Sequence, residues 1–276
     1  MPAAAGPRRA AVLGSPVNHS RSPDLHRAAY AALGLTGWTY EALDTTAEQL
    51  PGRVGVAGPE WVGFSVTMPG KLAALAFADE RTARAEMIGS ANTLVRLPDG
   101  RWRADCTDID GMTGALEESG LPAEADHAVL IGAGGTALPT VAALADWGIT
   151  TVDVIARDAG RAADVLELAA QLAITARFVA FDDPAAIADV ADASDVCIST
   201  VPARAAAALA DPLAGVPRLI DVIYDPWPTP LAAAVEAAGG KVVGGLVMLL
   251  NQAYSQVEQF TGLPAPREAM AAALHG

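Results

Sequence analysis

Lys71 and Lys241 are the only lysines among the 18 Lys and Arg residues of this chain. Lys71 ends the segment GFSVTMPGK, in a predicted turn after a predicted buried strand. A lysine amine can give up a proton whereas an arginine guanidinium stays charged, so a lysine kept in an arginine-biased chain is a candidate general acid or base. A surface lysine at a turn is the alternative interpretation of this residue taken alone.

Short polar clusters follow several predicted strands in the first half of the chain. The carboxyl ends of parallel strands gather ligands in an open sheet, and hydroxyl and amide groups placed there suit a carboxylate and sugar-like hydroxyls. Each cluster alone is more typical of a turn or a helix cap. Their joint placement favours a binding site. The clusters are residues 19–23, 65–67, 71, 92–93 and 107–108.

A glycine-rich segment opens the second half. Gly132, Gly134 and Ala137 follow the G-x-G-x-x-A spacing between a predicted strand and a predicted helix. In that pattern the first glycine makes a tight turn, the second lets backbone amides approach phosphates, and the small third residue allows close helix–strand packing. The pattern therefore predicts a dinucleotide-binding loop. Its residues are Gly132, Ala133, Gly134, Gly135, Thr136 and Ala137.

The end of the next predicted strand indicates which dinucleotide is bound. An acidic residue there accepts hydrogen bonds from the ribose of NAD, whereas an arginine binds the 2′-phosphate of NADP. Arg157 comes first and Arg161 follows about one helical turn later, so NADP is favoured. Asp158 fits three interpretations: it repels a phosphate, binds a ribose hydroxyl or caps the following helix.

Short apolar runs alternate with helical patterns along the chain, which is typical of an α/β protein with mostly parallel strands. The two halves are expected to join through a structured segment near residues 109–120. Ser22 is expected to cap the first helix, because it precedes Pro23 and Asp24. Strands are predicted at residues 10–14, 38–43, 62–67, 92–97, 101–106, 128–131, 152–156, 177–181, 196–200, 219–222 and 241–243.

Composition limits the partners of the protein. The formal net charge is −14 and the isoelectric point is near 4.6, so nucleic acid and anionic membrane surfaces would be repelled. Cys106 and Cys197 match no metal-ligand spacing, and we expect two reduced thiols in a cytoplasmic protein. No apolar stretch approaches the roughly 18 residues that span a bilayer. No metal is expected, because ligand spacing is also missing at His19, His26, His127 and His275.

These motifs, in this order and spacing, resemble the shikimate dehydrogenase family over nearly the whole chain. The resemblance implies reversible reduction of 3-dehydroshikimate to shikimate by NADPH, a step of aromatic amino-acid biosynthesis. It also implies a substrate and catalytic domain of residues 1–108 with 246–276, with a mostly parallel sheet, and a Rossmann-type NADP domain of residues 109–245. The segments that carry the resemblance are residues 14–23 (GSPVNHSRSP), 65–71 (SVTMPGK), 91–94 (ANTL), 107–111 (TDIDG), the 132 loop, 221–226 (DVIYDP) with 229–231 (TPL), and 245–253 (GLVMLLNQA).

The resemblance also implies a role for individual residues. Lys71 and Asp108 would form a catalytic dyad at the reacting oxygen, and Tyr224 would help to close the carboxylate end of the substrate. The other implied substrate contacts are Ser20 and Ser22 at the carboxylate, Thr67, Asn92 and Gln252 at ring hydroxyls, and Ser65. The implied cofactor contacts beyond the glycine loop are Arg157, Asp158, Arg161, Thr200, Val201, Pro202, Gly245 and Met248.

Three positions depart from the family pattern. Ser65 stands where the family usually has asparagine, so one substrate hydrogen bond is expected to be lost or passed to water, and Cys106 also replaces a common asparagine. Asp158 replaces a threonine that is common in NADP-selective members, which keeps an NAD-preferring quinate/shikimate dehydrogenase as an alternative. A non-catalytic NADP-sensing regulator is a further alternative, although it would not need Lys71 together with Asp108. Both monomer and homodimer fit the sequence.

Overall fold

The structure is a computed structural model that describes residues 6–274. It divides into two compact units. The first unit is drawn from residues up to Thr107 and from Gln252 onward, and the second comprises Asp108–Asn251. Each unit is built around one six-stranded sheet.

A mixed sheet forms the centre of the first unit. Its strands are β1 (Arg8–Gly14), β2 (Trp38–Asp44), β3 (Trp61–Val66), β4 (Glu80–Arg81), β5 (Thr93–Arg96) and β6 (Trp102–Asp105). They lie in the order β2-β1-β3-β5-β6-β4. β1 pairs in parallel with β2 and β3, whereas β5 runs antiparallel to β3 and β6. The predicted strands 92–97 and 101–106 therefore form a hairpin across residues 98–100.

Four helices accompany this sheet: α1 (Ser22–Ala32), α2 (Leu50–Gly55), α3 (Lys71–Phe77) and α4 (Ala83–Ile88). The expectation that Ser22 caps α1 is wrong. The backbone of Arg21 is already helical (φ −88°, ψ 0°), so Arg21 is the N-cap residue and Ser22 is the first residue of the helix. Lys71 likewise begins a helix, directly after the turn at residues 68–70.

The sheet of the second unit is parallel throughout. Its strands are β7 (His127–Ile131), β8 (Thr151–Ala156), β9 (Thr175–Ala180), β10 (Val196–Ser199), β11 (Arg218–Asp221) and β12 (Lys241–Gly244). Their order is β12-β11-β10-β7-β8-β9, so the direction of winding reverses between β7 and β10. Ligands bind outside the carboxyl ends of the strands at such a reversal.

The remaining helices follow in chain order. They are α5 (Asp108–Ser119), α6 (Ala137–Trp147), α7 (Ala159–Gln171), α8 (Pro184–Ala193), α9 (Ala203–Ala206), α10 (Ala210–Leu213), α11 (Pro230–Ala237), α12 (Gly245–Thr261) and α13 (Arg267–Ala272). Gly148 ends α6 in the left-handed conformation, at φ +106°, as its position after Trp147 predicts.

Each unit has an apolar core of its own. Leu13, Phe64 and Leu94 are fully or almost fully buried in the first unit, and so are the apolar side chains on both faces of the parallel sheet. Cys106 and Cys197 are buried, and neither forms a disulfide within residues 6–274. Within residues 6–274, none of the helices combines the length and the apolar composition needed to cross a membrane.

Candidate active site

Gly132 makes the turn between β7 and α6. Its φ is +103°, in the left-handed region that favours glycine. A Cβ atom at this position would lie 2.7 Å from Thr200 Oγ1 and 2.7 Å from Val201 Cγ1. Gly132 N–H donates to Ile155 O at 2.9 Å, which ties the turn to β8. Both the backbone conformation and the available space therefore require glycine here.

The next two glycines leave the approach to α6 open. A Cβ at Gly134 or Gly135 would meet nothing within 4 Å among the described residues. Within the described residues, the Thr136 side chain makes no capping hydrogen bond, and α6 begins at Ala137. The N-terminus of α6, approached over bare glycine backbone, is suited to an anion because its N–H groups carry the positive end of the helix dipole. These residues fit the pyrophosphate of a dinucleotide.

A cleft of about 370 Å³ opens beside this turn at the carboxyl edge of the parallel sheet. Arg157, Arg161 and Arg204 all line it, so three guanidinium groups share one cleft. Guanidinium groups are well matched to phosphate oxygens, which they bind in pairs. The cleft therefore suits a ligand that carries phosphate. The other lining residues are Gly132, Ala133, Gly134, Ile155, Ala156, Phe181, Thr200, Val201, Pro202 and Ala205.

Asp158 is the N-cap of α7. Its Oδ1 accepts a hydrogen bond from Arg161 N–H at 2.9 Å, and its Oδ2 lies 3.5 Å from Arg161 Nε. The capping interpretation is thus confirmed. Because the carboxylate already pairs with Arg161, its repulsion of a bound phosphate is partly offset.

Other residues of the second unit that the resemblance assigns lie apart from the arginine cleft. Tyr224 and Gly245 line a second cavity, of about 400 Å³, together with Trp227. Gly245 N–H donates to Ile223 O at 3.1 Å. Met248 is buried near the start of α12. Among the described residues, the lining of the arginine cleft includes neither Asp158 nor Gly245 nor Met248.

Ser20 and Ser22 lie at the N-terminus of α1. Ser20 Oγ accepts from Ser22 N–H at 3.3 Å, and the Ser22 side chain is 4% exposed. The Ser20 hydroxyl hydrogen is therefore left to donate elsewhere, since its oxygen is the acceptor in that bond. Hydroxyl donors at the positive end of an 11-residue helix are well placed for a carboxylate.

Thr67, Lys71 and Asn92 come together where β3 and β5 meet. Val66 N–H donates to Asn92 O at 2.7 Å, and Ala91 N–H donates to Lys71 O at 3.1 Å. These two backbone bonds hold the segment after β3 against the segment before β5. A Cβ at Gly14 would overlap the Thr67 methyl group, so glycine at the end of β1 allows this approach.

Three polar side chains form a buried cluster beside Lys71's segment. Asn92 Oδ1 accepts from Thr107 N–H at 2.8 Å. Asn92 Nδ2 lies 3.0 Å from Thr107 Oγ1 and 3.3 Å from Gln252 Oε1. A backbone N–H can only donate, so the bond from Thr107 determines which end of the Asn92 amide is oxygen. The predicted ligands Asn92 and Gln252 are thereby brought together with fixed amide orientations.

Ser65 belongs to the same buried region. It accepts from Tyr40 O–H at 2.6 Å and donates to Gln256 Oε1 at 2.6 Å. Its hydroxyl hydrogen is thus committed to the protein, and one oxygen lone pair is left for a ligand. Burial raises the pKa of the Tyr40 hydroxyl well above its ordinary value, so Tyr40 remains a donor.

Asp108 is buried and is the first residue of α5, directly after Thr107. It is also the first residue of the second unit. Between residues 6 and 274, no group of three or more His, Cys, Asp or Glu side chains is arranged to hold a metal ion. His275 lies outside the described residues.

Three residues of these sites have no individual signal in the motifs: Tyr40, Arg204 and Gln256. Gln256 comes four residues after Gln252 on α12, so both amides lie on one helix face. That spacing is the one feature of the sequence that indicates it. Arg204 follows the predicted cofactor residues Thr200, Val201 and Pro202 and has no motif of its own.

A parallel sheet with a glycine turn and a phosphate-binding cleft at its reversal point defines a dinucleotide-binding unit. A lysine beside a buried cluster of hydroxyl and amide groups, in a separate unit, is suited to a small polar substrate that exchanges a proton. The two together define the class of nicotinamide-dependent oxidoreductases.

Comparison with known proteins identifies the family. The model of the shikimate dehydrogenase substrate binding domain matches residues 12–94, and that of the shikimate 5′-dehydrogenase C-terminal domain matches residues 245–275. Shikimate dehydrogenase (NADP(+)) of Methylobacterium radiotolerans is 38% identical over 268 residues, which cover 94% of this chain and 93% of that protein. The chain belongs to the shikimate dehydrogenase family.

Solved structures of similar proteins support the same family. Shikimate dehydrogenase of Mycobacterium tuberculosis is 59% identical, with a TM-score of 0.93 over 98% of this chain and 99% of that chain. Shikimate 5-dehydrogenase of Thermus thermophilus, in complex with NADP(H) and shikimate, is 31% identical, with a TM-score of 0.82 over 97% of this chain and 98% of that chain. The expected α/β class is confirmed by the two sheets described above.

Proposed function

We propose that this protein catalyses the reversible reduction of 3-dehydroshikimate to shikimate with NADPH, in aromatic amino-acid biosynthesis. The observation that carries the proposal is the buried Asn92–Thr107–Gln252 cluster, held beside the segment of Lys71 by the bond from Ala91 N–H to Lys71 O. This arrangement offers several neutral donors and acceptors and one amine. It matches a ring that carries hydroxyl groups and a ketone.

Each polar group is given a substrate partner in this proposal. Ser20 and Ser22 donate to the carboxylate at the N-terminus of α1. The ring hydroxyls bind Thr67, Asn92 and Gln252, whose side chains are both donors and acceptors. Tyr224 helps to close the carboxylate end, and Ser65 offers its remaining lone pair to a substrate hydroxyl.

Lys71 and Asp108 act at the reacting oxygen. When a ketone is reduced, negative charge develops on its oxygen, and an ammonium group stabilises that charge and donates the proton. A neighbouring carboxylate orients the lysine and favours its charged form. In the direction of shikimate oxidation, the Lys71 amine accepts the hydroxyl proton.

NADPH supplies the hydride when it is bound. The glycine turn that begins at Gly132 would hold its pyrophosphate at α6, and Thr200, Val201 and Pro202 would line the cleft beside it. Arg157, Arg161 and Arg204 would bind the 2′-phosphate. Gly245 and Met248 are assigned to the cofactor by resemblance.

The division of labour between the two parts of the chain is also a proposal. Residues 1–108 with 246–276 would bind the substrate, and residues 109–245 the cofactor. Cys106 and Cys197 are buried thiols outside any disulfide of the described residues, which supports the expectation of a cytoplasmic enzyme. Monomer and homodimer both fit this proposal, because each chain carries every residue named in it.

The test is to mix the purified protein with shikimate and NADP⁺ and to follow the absorbance of NADPH. Parallel reactions with NAD⁺, and with quinate in place of shikimate, measure the preference for each compound. We expect the highest kcat/KM with shikimate and NADP⁺. If neither NADPH nor NADH formed under any of these conditions, the proposed reaction would be rejected, and a preference for NAD⁺ or quinate would favour the quinate/shikimate branch.

A further inference from the structure

We infer that Tyr40 and Gln256 are positioning residues, which orient the Asn92 amide through a chain of uncharged buried hydrogen bonds. The chain runs from Tyr40 through Ser65, Gln256 and Thr93 to Asn92. This inference rests on the proposed function, in which the Asn92 side chain binds a substrate hydroxyl. It assigns a role to residues that carry no motif.

The sheet explains why these side chains meet. β1 lies between β2 and β3, where Ala10 pairs with Tyr40 and Val12 pairs with Ser65. Residues two apart on a strand point to the same face, so Tyr40 and Ser65 share one face of the sheet. Ser65 in turn pairs with Thr93 of the antiparallel strand β5. Gln256 of α12 reaches this face and contacts both Ser65 and Thr93.

The donors and acceptors can be assigned from the backbone outward. Gln256 lies 3.2 Å from Asn92 O through its Nε2, and a carbonyl oxygen only accepts. The other end of this amide is therefore oxygen, which accepts from Ser65 O–H. Since Ser65 uses its hydrogen in that bond, it can only accept from Tyr40 O–H.

The second half of the chain follows in the same way. Gln256 Nε2 also donates to Thr93 Oγ1 at 2.9 Å, so the Thr93 hydroxyl has its hydrogen free to donate. It donates to Asn92 Oδ1 at 3.0 Å, the oxygen that also accepts from Thr107 N–H. Asn92 Nδ2 is thereby held toward Thr107 Oγ1 and Gln252. All the bonds point in one direction, from the Tyr40 hydroxyl toward Asn92.

The environment keeps the chain uncharged. Tyr40, Gln256 and Thr93 are between 0% and 1% exposed. His26 stacks on Tyr40 with 4.0 Å between ring centroids, and its Nε2 lies 3.4 Å from Gln256 Oε1. Hydrogen bonds in such a buried network are costly to leave unmade, so each member restrains the next.

Ser65 is the link at which this chain departs from the asparagine that is usual in the family. A hydroxyl accepts from Tyr40 and donates to Gln256 through a single atom, as the two 2.6 Å bonds show. The departure therefore has a structural partner in Gln256, and Asn92 at the far end of the chain is the substrate contact that this network orients.

The test compares two substitutions with a matched control. Tyr40→Phe removes the first donor of the chain, and Gln256→Met removes its central amide without adding charge. Tyr254→Phe is the control, because Tyr254 is a buried tyrosine of the same unit whose hydroxyl donates to Arg267 O at 3.4 Å and does not enter the chain. For each, the KM values for shikimate and for NADP⁺, kcat and the unfolding midpoint are measured on the full chain.

We expect Tyr40→Phe and Gln256→Met to raise the KM for shikimate roughly 3- to 10-fold, the size expected for weakened neutral hydrogen bonds, and to leave the KM for NADP⁺ unchanged. Tyr254→Phe should change neither KM value. Adding Asn92→Ala to Gln256→Met should give the same shikimate KM as Asn92→Ala alone, because Gln256 acts through Asn92.

Three results would overturn the inference. One is an unchanged shikimate KM in Tyr40→Phe, which decides the matter even where Gln256→Met fails to fold. The second is additive effects of Gln256→Met and Asn92→Ala on the shikimate KM. The third is an equal rise of both KM values that follows the unfolding midpoint, which a merely structural role would produce. Inactivity of the unmodified protein toward shikimate would instead reject the proposed function.

Discussion

The two sheets of this protein present polar groups to ligands in different ways. The mixed sheet of the first unit buries neutral side chains such as Asn92 and Gln256 and hydrogen-bonds them to one another. The parallel sheet of the second unit offers bare glycine backbone and exposed arginines such as Arg157 and Arg204. The first arrangement fixes where each donor and acceptor points, which suits discrimination among hydroxyl groups. The second concentrates positive charge, which suits phosphates of a larger ligand.

Replacing Lys71 is expected to have the largest effect among the tests of this difference between the two sheets. In the proposed mechanism Lys71 is the charged group that donates the proton beside the neutral cluster, so Lys71→Ala should lower kcat roughly 10²- to 10⁴-fold, the usual range for a lost proton-transfer group. Steady-state rates in both directions measure it. Lys241→Ala removes the other lysine, in β12, and should keep the original kcat. Near-normal turnover of Lys71→Ala would remove this residue from the mechanism.

A second substitution tests the role of the glycine backbone. Gly132→Ala adds a Cβ at 2.7 Å from Thr200 Oγ1 and Val201 Cγ1, in a residue with φ +103°. Strained backbone of this kind costs roughly 1–3 kcal/mol, and the clash displaces the cleft lining, so NADPH affinity should fall at least tenfold.

Gly148→Ala is the matched control for this substitution. Its φ is +106°, but a Cβ there would meet nothing within 4 Å in the described chain. Gly148→Ala should lower the free energy of unfolding by a similar amount, because the backbone strain is similar. NADPH binding, measured by calorimetry, should be unchanged. Equal losses of NADPH affinity in the two variants would show that strain alone matters.

The buried network of the first unit should make stability depend on pH through His26. Burial lowers the pKa of His26 from 6.5 to about 3, against a smaller opposite effect of the Gln256 hydrogen bond. The unfolded state then binds a proton below pH 6.5 that the folded state does not, so this contribution to stability is lost as pH falls from 6.5 toward 3.

Between pH 7 and pH 5, His26 should account for a loss of about 2 kcal/mol of unfolding free energy. Urea unfolding at the two pH values measures it, and His26→Gln should lack that part of the pH dependence. His19→Gln replaces an exposed histidine and should keep it. The same pH dependence in His26→Gln would show that His26 is not its source.

The smallest effect concerns the shared positive charge of the cofactor cleft. Arg204→Ala should weaken binding of adenosine 2′,5′-bisphosphate about tenfold and leave binding of 5′-AMP nearly unchanged, because one of three guanidinium groups is lost. Calorimetry on the free protein measures both ligands, and Arg204→Lys should retain part of the difference. An equal loss for the two ligands would place Arg204 away from the 2′-phosphate.

Local signals explain which elements could be predicted. The glycine turn and the end of α6 at Gly148 could be read directly, because positive φ values restrict those positions to glycine. The parallel strands follow from short apolar runs that alternate with helical patterns. β4, with two residues, is too short for any periodicity.

The parts of the site that could not be predicted depend on contacts between distant segments. Tyr40 and Gln256 are 216 residues apart by number and meet only because β1 lies between β2 and β3 and α12 returns to that face. Arg204 shares the cleft with Arg157 through the sheet order, which places β10 next to β7. Side chains that are brought together only by such contacts show no characteristic spacing in the sequence.

The capping bond of Asp158 has a consequence for cofactor engineering. Its carboxylate is engaged with the start of α7, so a threonine there would conserve the cap through its hydroxyl while deleting one negative charge. Redesign toward NADH would accordingly begin with the guanidinium groups facing the cleft, and redesign for tighter NADPH use would begin with this single acid. A substitution at Asp158 alone would thus change the cofactor preference while keeping the N-cap of α7.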